Sequence, residues 1–158
     1  MIKAIQSPIG KLYLQIEEGN LLAIHFAEPV KRIELVEDEL DDKVYQVAKK
    51  QLNEYFNGDR MTFDLPLSAK GTSFQTSVWE QLPLITYGET INYQELAIRI
   101  GNQKACRAVG QANRKNPLPI VIPCHRVIGK DKSLKGYSGS LTPIKKFLLE
   151  LEQKYVKS

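Results

Sequence analysis

The stretch Pro119-Ile120-Val121-Ile122-Pro123-Cys124-His125-Arg126-Val127 limits the fold of this chain more than any other. Each proline fixes its own φ and biases the residue before it, Leu118 or Ile122, toward extended backbone. The apolar run between them reads as strand-like and delivers Cys124 to the end of a stiff segment, with an imidazole beside it. A free thiol has a pKa of about 8.5, so only ~3% is thiolate at pH 7. Lowering that value by ~1.5 units makes half of it thiolate and takes ~2 kcal/mol of differential stabilisation. A hydrogen-bonded histidine can supply it. Adjacent side chains on a strand point to opposite faces, so Cys124 and His125 either share a turn or communicate through a water.

Two other readings compete. A cysteine in an apolar run is ordinarily an inert core residue, but the rigid Pro-Cys-His-Arg-Val setting argues for chemistry. A metal site would have to draw on Cys106, Cys124, His25 and His125, which are all the cysteines and histidines present. No pair has zinc-motif spacing, and His25 lies in a distant segment. No metal and no cofactor is expected.

This stretch resembles the active-site signature of the O6-alkylguanine-DNA alkyltransferases, the methylated-DNA–protein-cysteine methyltransferases. The likeness runs from about residue 72 to 152, half the chain. It extends to the 90–116 region and to Gly136-Tyr137-Ser138-Gly139. It implies an α+β protein: a small ribonuclease H-like α/β domain, then a helical winged-helix or helix-turn-helix domain.

The 158 residues suit one compact unit or two small domains. Domains are expected at 1–67 and 72–158, joined by a linker that begins at Pro66. Two cysteines do not make a disulfide framework, and a needed thiol favours a reducing compartment. No signal sequence opens the chain and no apolar run approaches membrane-spanning length, so a cytoplasmic protein is expected. The net charge of +4 is modest, and its distribution matters more than its size.

The first domain reads as a three-stranded meander over Ile2-Lys3-Ala4-Ile5, Leu12-Tyr13-Leu14-Gln15-Ile16 and Leu21-Leu22-Ala23-Ile24-His25-Phe26. His25 is a structural strand residue on this reading. The acidic run 34–42 is expected to be a solvated loop or short helix that faces away from any DNA. Val44, Val47, Ala48, Gln51, Leu52 and Tyr55 then form one helical stripe, ended by Asn57-Gly58. Residues 61–65 read as another strand. Nothing here assembles a catalytic group. Some relatives hold zinc in this region on Cys and His ligands. With no Cys and one His, this segment does not carry that site over.

In the second domain Thr72 and Gln75 are spaced as a capping box before the stripe Phe74, Val78, Trp79, Leu82. Asn92 caps a helix over 93–100, with Glu95 three residues on and Gly101 at its C′ position. Asn102 is expected to cap a second helix over 103–113, giving a helix-turn-helix. Ala105, Ala108, Val109 and Ala112 share its packing face. Gln103, Cys106, Arg107, Gly110 and Arg114 share a small, basic outer face fit for a polyanion. Basic groups at phosphates supply affinity without sequence choice. Thr142 and Pro143 start a last helix with the stripe Ile144, Phe147, Leu148, Leu151.

The resemblance adds roles. Helix-turn-helix proteins usually read the major groove; the family implies the minor groove. Arg107 is implied as the finger that enters the base stack, with Tyr93 where the target's phosphate is rotated. Gln94, Asn102, Gln103, Gly110 and Arg114 complete the DNA-binding set. Asn116 matches the asparagine that braces the active-site turn. Val127, Tyr137, Ser138 and Pro119 line the base pocket. Glu152 occupies the position of the acid that orients His125, and Glu150 is the rival one helical face away. The family often has Ala where this chain has Cys106, and the loop between Ser140 and Lys145 is one residue longer than in many relatives.

The implied reaction is direct repair of double-stranded DNA carrying O6-alkylguanine. Glu152 steadies His125, His125 deprotonates Cys124, and the thiolate takes the alkyl group from a flipped base. No residue offers a way to reverse a thioether, so one turnover by a monomer, without a protein partner or membrane, is expected. O4-alkylthymine is a further possible substrate. Two rivals are a Cys-His hydrolase and a non-enzymatic alkyl-damage sensor or helix-turn-helix binder. The hydrolase lacks a clear oxyanion glycine pattern; alkyltransferase-like sensors lack the cysteine.

Overall fold

The computed structural model describes residues 1–29, 38–129 and 142–156. They fall into two compact units, Met1–Lys70 and Gly71–Ser158.

In the first unit, β1 (Ile2–Ser7), β2 (Gly10–Glu17) and β3 (Asn20–His25) form an antiparallel sheet in that order. Ser7 closes the first turn: its Oγ donates to Gly10 O at 2.6 Å and accepts from Ile9 N at 3.2 Å. The period-two alternation of β2 puts Leu12, Leu14 and Ile16 on one fully buried face. Helix α1 (Glu39–Phe56) packs against this sheet. His25 stays in β3, its Nε2 2.9 Å from Gln15 Oε1.

Three local expectations are corrected here. The described part of the acidic run is the start of α1. Asp38 caps it by accepting from Leu40 N at 3.0 Å, and Glu39, Asp41 and Asp42 sit in the first turn. Carboxylates are stabilised there by the positive end of the helix dipole. Asp41 is buried rather than solvated and accepts from Gly19 N at 2.7 Å. Val47 is exposed, and Tyr45 is buried in its stead, its hydroxyl donating to Ala4 O at 2.9 Å. The sheet lies on the Tyr45 side of the stripe, which one helix's spacing cannot reveal. Residues 61–65 form no strand. The buried Gln51 amide takes the place of a ladder partner, donating to Asp64 O and accepting from Asp64 N, both at 2.9 Å.

In the second unit, α2 (Ser73–Gln81) opens with the reciprocal capping box of Thr72 and Gln75. Trp79 is buried and its Nε1 donates to Ala112 O at 2.8 Å, pinning α2 to α4 (Cys106–Arg114). Phe74 is exposed in the first turn of α2, although it stands one turn before Val78 on the same stripe. Asn92 caps α3 (Tyr93–Arg99), its Oδ1 accepting from Glu95 N at 2.8 Å. A Schellman motif ends α3: Gly101 N donates to Ile98 O at 2.9 Å and Asn102 N to Ala97 O at 3.0 Å. Gly101 has φ +81°, a conformation that costs any other L-residue about 1 kcal/mol.

Asn102 does not cap α4. Its carbonyl accepts from Ala105 N at 3.0 Å in a turn, and the helix begins at Cys106. The pair α3–α4 is still helix-turn-helix, with a longer turn. Two short strands, β4 (Ile91–Asn92) and β5 (Val127–Ile128), pair in parallel and hold the entrance of α3 beside the exit of the cysteine stretch. Helix α5 (Thr142–Tyr155) closes the unit. Leu148 is its buried apolar residue; Ile144, Phe147 and Leu151 are half-buried. Among the described residues no helix is long and apolar enough to cross a membrane.

Candidate active site

The approach to Cys124 is a chain of turns, not a strand. The prolines govern residues 118, 119, 122 and 123, and leave Ile120 and Val121 unconstrained. Ile120 takes φ +76°, a strained conformation for a β-branched residue that costs about 1–3 kcal/mol. Asn116 holds this strain in place. Its Oδ1 accepts from Leu118 N at 3.0 Å and its Nδ2 donates to Ile122 O at 2.7 Å. Pro123, at φ −80° and ψ 67°, is the centre of an inverse γ-turn closed by Cys124 N donating to Ile122 O at 2.8 Å. Cys124–Arg126 is one turn of 3-10 helix. Of the two alternatives left by the sequence, Cys124 and His125 therefore share a turn.

Cys124 is 3% exposed, His125 0% and Glu152 1%. His125 Nε2 lies 2.6 Å from Glu152 Oε2. Arg126 grips the same carboxylate, its Nε donating to Oε1 at 2.8 Å and its second terminal nitrogen to Oε2 at 3.1 Å. Its remaining terminal nitrogen donates to Ile85 O at 2.8 Å, and Gly88 N adds a 3.2 Å bond to Glu152 Oε1. Burial would raise the Glu152 carboxyl; the His125 hydrogen bond and the Arg126 guanidinium outweigh it and hold it down at about 2. His125 is pushed below its ordinary value, by burial first, then by the positive charges of Arg126 and Lys145, against the opposing pull of Glu152. The imidazole is therefore neutral at pH 7, and Arg126 supplies the counter-charge of Glu152.

The tautomer follows. An ionised carboxylate only accepts, so Nε2 carries the proton and Nδ1 is the bare acceptor. Nδ1 is buried without a partner among the described residues. A neutral histidine with a bare ring nitrogen, in the same turn as a thiol, can take that thiol's proton. Glu150 is excluded as the orienting acid: it is exposed, 4.0 Å from Lys146 Nζ.

Lys145 and Asn113 join this cluster, and the sequence reading missed both. Lys145 is fully buried one turn before Leu148, its Nζ donating to Val127 O at 2.6 Å and lying 6.0 Å from the Tyr93 ring. Burial pulls it down to about 8, against the charge of Cys124. Asn113 is fully buried and donates from Nδ2 to Cys124 O at 3.2 Å. A lysine and an asparagine on otherwise amphipathic helices read as surface residues. The one available signal was their spacing: Lys145, Leu148 and Glu152 fall on one helical face.

Tyr93, at the start of α3, is half-buried between these groups. Burial pushes its hydroxyl up to about 12, with Cys124 adding to the rise and Arg114 and Asn113 opposing it. The phenol keeps its proton at neutral pH and remains a donor.

The faces of α4 differ from the expected wheel. Val109 and Ala112 are buried, but Ala108 is exposed. Gly110 does not face outward: an added Cβ would stand 3.6 Å from Tyr93 Cδ1. Cys106, Gly110 and Asn113 form the stripe on the Tyr93 side, and Arg107, Gln111 and Arg114 are the exposed one. Asn102 and Gln103 are exposed in the preceding turn, where Gln94 Nε2 donates to Gln103 O at 3.2 Å. Pro119 and Val127 are buried in the turn and strand flanking Cys124. Tyr137 and Ser138 lie outside the described residues. Among the described residues no group of three or more potential ligands stands where it could hold a metal ion.

Comparison with known proteins agrees with this geometry. The model of the 6-O-methylguanine DNA methyltransferase ribonuclease-like domain matches residues 2–69, and that of the DNA binding domain matches residues 73–154. The constitutive methylated-DNA–protein-cysteine methyltransferase of Bacillus subtilis is 47% identical over 152 residues, covering 94% of this chain and 92% of the relative. The Methanosarcina barkeri protein of the same name is 49% identical over 150 residues, covering 94% of each. The crystal structure of Mycobacterium tuberculosis OGT in complex with DNA superposes with a TM-score of 0.86 at 41% identity, covering 99% of this chain and 95% of that one. With a turn-borne cysteine beside a carboxylate-held histidine, and relatives of this closeness along nearly its whole length, the chain belongs to the 6-O-methylguanine DNA methyltransferase family.

Proposed function

We propose that the protein repairs DNA by moving the alkyl group of O6-alkylguanine onto Cys124, once per molecule. The observation that carries this reading is the buried Cys124–His125–Glu152–Arg126 cluster beneath a helix whose exposed face carries Arg107 and Arg114. His125 Nδ1, through a water, takes the thiol proton; Glu152 and Arg126 hold the ring and its tautomer. The thiolate attacks the alkyl carbon, an S–C bond forms and the C–O6 bond breaks. Tyr93 offers a hydrogen bond to the guanine ring as negative charge builds there and keeps its own proton; the base takes up one proton for the alkyl group lost, and His125 releases the one it took from the thiol. Lys145 supplies a fixed positive charge at Cys124. Main-chain groups at Cys124 and Val127 read the base edge.

The base must leave the duplex to reach a buried thiol. Arg107, exposed on α4, fills the vacated stack. The resemblance to the alkyltransferase family implies docking from the minor groove. The protein acts as a monomer, with the boundary between its two domains in the sequence at residues 67–72.

Intact mass after exposure to O6-methylguanine duplex tests the reading. A gain of one CH2 per chain, with no further gain on longer incubation, supports it. Binding at unchanged mass would make the protein a damage sensor, and ester or peptide turnover would make it a hydrolase. Base flipping is tested separately. Arg107→Ala and Tyr93→Phe are expected to slow repair in duplex at least ten times more than reaction with free O6-benzylguanine. Equal losses on both substrates would move these residues from flipping to chemistry or folding.

A further inference from the structure

The Glu152 carboxylate is gripped from a second side, by a tight turn far from Cys124 in sequence. Thr86–Glu89 closes with Glu89 N donating to Thr86 O at 2.9 Å, and its third residue, Gly88, takes φ +84°. That is a type II turn, whose third residue needs a positive φ. The turn and the residue before it meet both members of the buried ion pair. Ile85 O accepts from Arg126 at 2.8 Å, the Tyr87 ring centre lies 5.6 Å from the guanidinium, and Gly88 N donates to Glu152 Oε1 at 3.2 Å. With Arg126 and His125, this gives each Glu152 oxygen at least two donors. Gln153, the next residue of α5, is exposed, and its Nε2 donates to Gly88 O at 2.5 Å. Gly88 is thus held at both its polar groups, the carbonyl by Gln153 and the N–H by Glu152. It has no room for a side chain: an added Cβ would stand 2.6 Å from Val156 Cγ2.

Resting on the alkyl-transfer reading, we infer that Gln153 is a positioning residue: by anchoring Gly88 it keeps the Gly88 N–H on Glu152 Oε1, and so keeps Oε2 aimed at His125 Nε2. The last torsion of a glutamate is soft, so a carboxylate needs donors from more than one direction to stay fixed. His125 and Arg126 both belong to the thiol's own turn. Gly88 supplies a donor from a separate segment and fixes the carboxylate against that turn. With the Gly88 bond loosened, Glu152 follows the Arg126 fork, its bond to His125 weakens, and the imidazole becomes a poorer base for the thiol. Gln153 touches neither the thiol nor the alkyl group; it acts through Gly88 and Glu152.

The test is the pH profile of Cys124 alkylation by iodoacetamide, on the full chain with Cys106 replaced. Gln153→Met keeps the length of the side chain and removes the donor without adding charge; Gln153→Lys keeps a donor. Arg126, Lys145, Tyr87 and Cys124, the charged and titratable groups around the Glu152–His125 pair, are unchanged in both. Gln153→Met is expected to slow alkylation about fivefold at pH 7, the effect of one hydrogen bond. It should regain the wild-type rate by about pH 9.5, where a thiol ionises without help. Gln153→Lys should stay within about twofold of wild type throughout. In a Glu152→Gln background, Gln153→Met should cost less than about twofold, because the charge it positions is gone. An unchanged rate at pH 7, a loss of equal size at every pH, failure of Gln153→Lys to restore the rate, or an undiminished loss in the Glu152→Gln background would each overturn the inference. Loss of folding in Gln153→Met, seen by circular dichroism, would also overturn it by assigning Gln153 to structure alone. A wild-type protein that gains no CH2 from O6-methylguanine duplex would instead refute the alkyl-transfer reading while leaving the iodoacetamide profiles as they are, so the two failures are distinct.

Discussion

Cys124→Ala is expected to abolish alkyl transfer while leaving the protein folded and bound to DNA. The main-chain bonds of Cys124 and the bonds among the other side chains of the site do not depend on the sulfur. Cys124 contributes its N–H to Ile122 O and its carbonyl to Asn113 Nδ2, and both survive the substitution. The His125–Glu152–Arg126 bonds are made by other side chains. Replacing a buried thiol by a methyl removes one heavy atom, a change of about 1–2 kcal/mol. Cys124→Ser keeps the shape and replaces the thiol by a hydroxyl, far less acidic and a far weaker nucleophile at carbon. Both variants should show no mass gain after hours with O6-methylguanine duplex, and fluorescence anisotropy should give an affinity within a few-fold of wild type. Cys106 is the control inside the molecule, since it lies half-buried on the Tyr93 side of α4. An adduct on Cys106 in the Cys124→Ala protein would show that position, not the His125 turn, selects the nucleophile.

Glu152→Ala is expected to cost about 3–5 kcal/mol at pH 7, because it leaves the buried Arg126 guanidinium with no counter-charge. That is a large part of a domain's usual 5–15 kcal/mol, so urea midpoints should fall sharply. Glu152→Gln keeps an acceptor oxygen for Arg126 and should cost less. Both lose the charge that makes His125 Nδ1 an effective base, so thiol alkylation by iodoacetamide should need a higher pH, followed at Cys124 with Cys106 replaced.

The pH dependence of stability has two limbs. Glu152 is held at about 2 against an ordinary 4.5, so its contribution is complete above pH 4.5 and is lost as the pH falls toward 2. His125 is kept neutral by burial, below its ordinary 6.5. The unfolded chain gains a proton there that the folded chain refuses, so stability also declines as the pH drops below 6.5. Wild type should weaken in both windows, and Glu152→Ala should lack the lower one. A wild-type profile flat from pH 7 down to 3 would contradict the buried charge cluster.

The local signals in the chain were strong wherever one segment settles its own structure. The capping box of Thr72 and Gln75, the Asn92 cap and Gly101 after α3 are chemistry within a single turn, and each stands where the residue types place it. The meander was legible because strand alternation and turn residues are close in sequence. The thiol–imidazole pair was legible too, since Cys124 and His125 are neighbours in a motif whose prolines and order are specific.

Helical spacing went wrong where a partner surface decides. Val47 and Phe74 lie on apolar stripes by spacing, yet the sheet beside α1 covers Tyr45 instead and α2 turns Phe74 outward. Asn102 has a capping side chain, but its carbonyl is engaged by Ala105 N and the helix starts later. Gly110 looked like a smooth outer surface and is a berth for Tyr93.

What the residues determined by themselves is the meander, the main helices, the thiol–imidazole pair and the family. What only the tertiary structure decided is the electrostatics of the site. Arg126 reads as a surface cation until its carboxylate partner from α5 and the Ile85 carbonyl are folded around it. Lys145 reads the same way until Val127 O meets it. Charges separated by tens of residues interact only after folding brings them within 3 Å and removes water, which is when the local dielectric falls and the same charges become strong enough to set the protonation of His125 and Glu152.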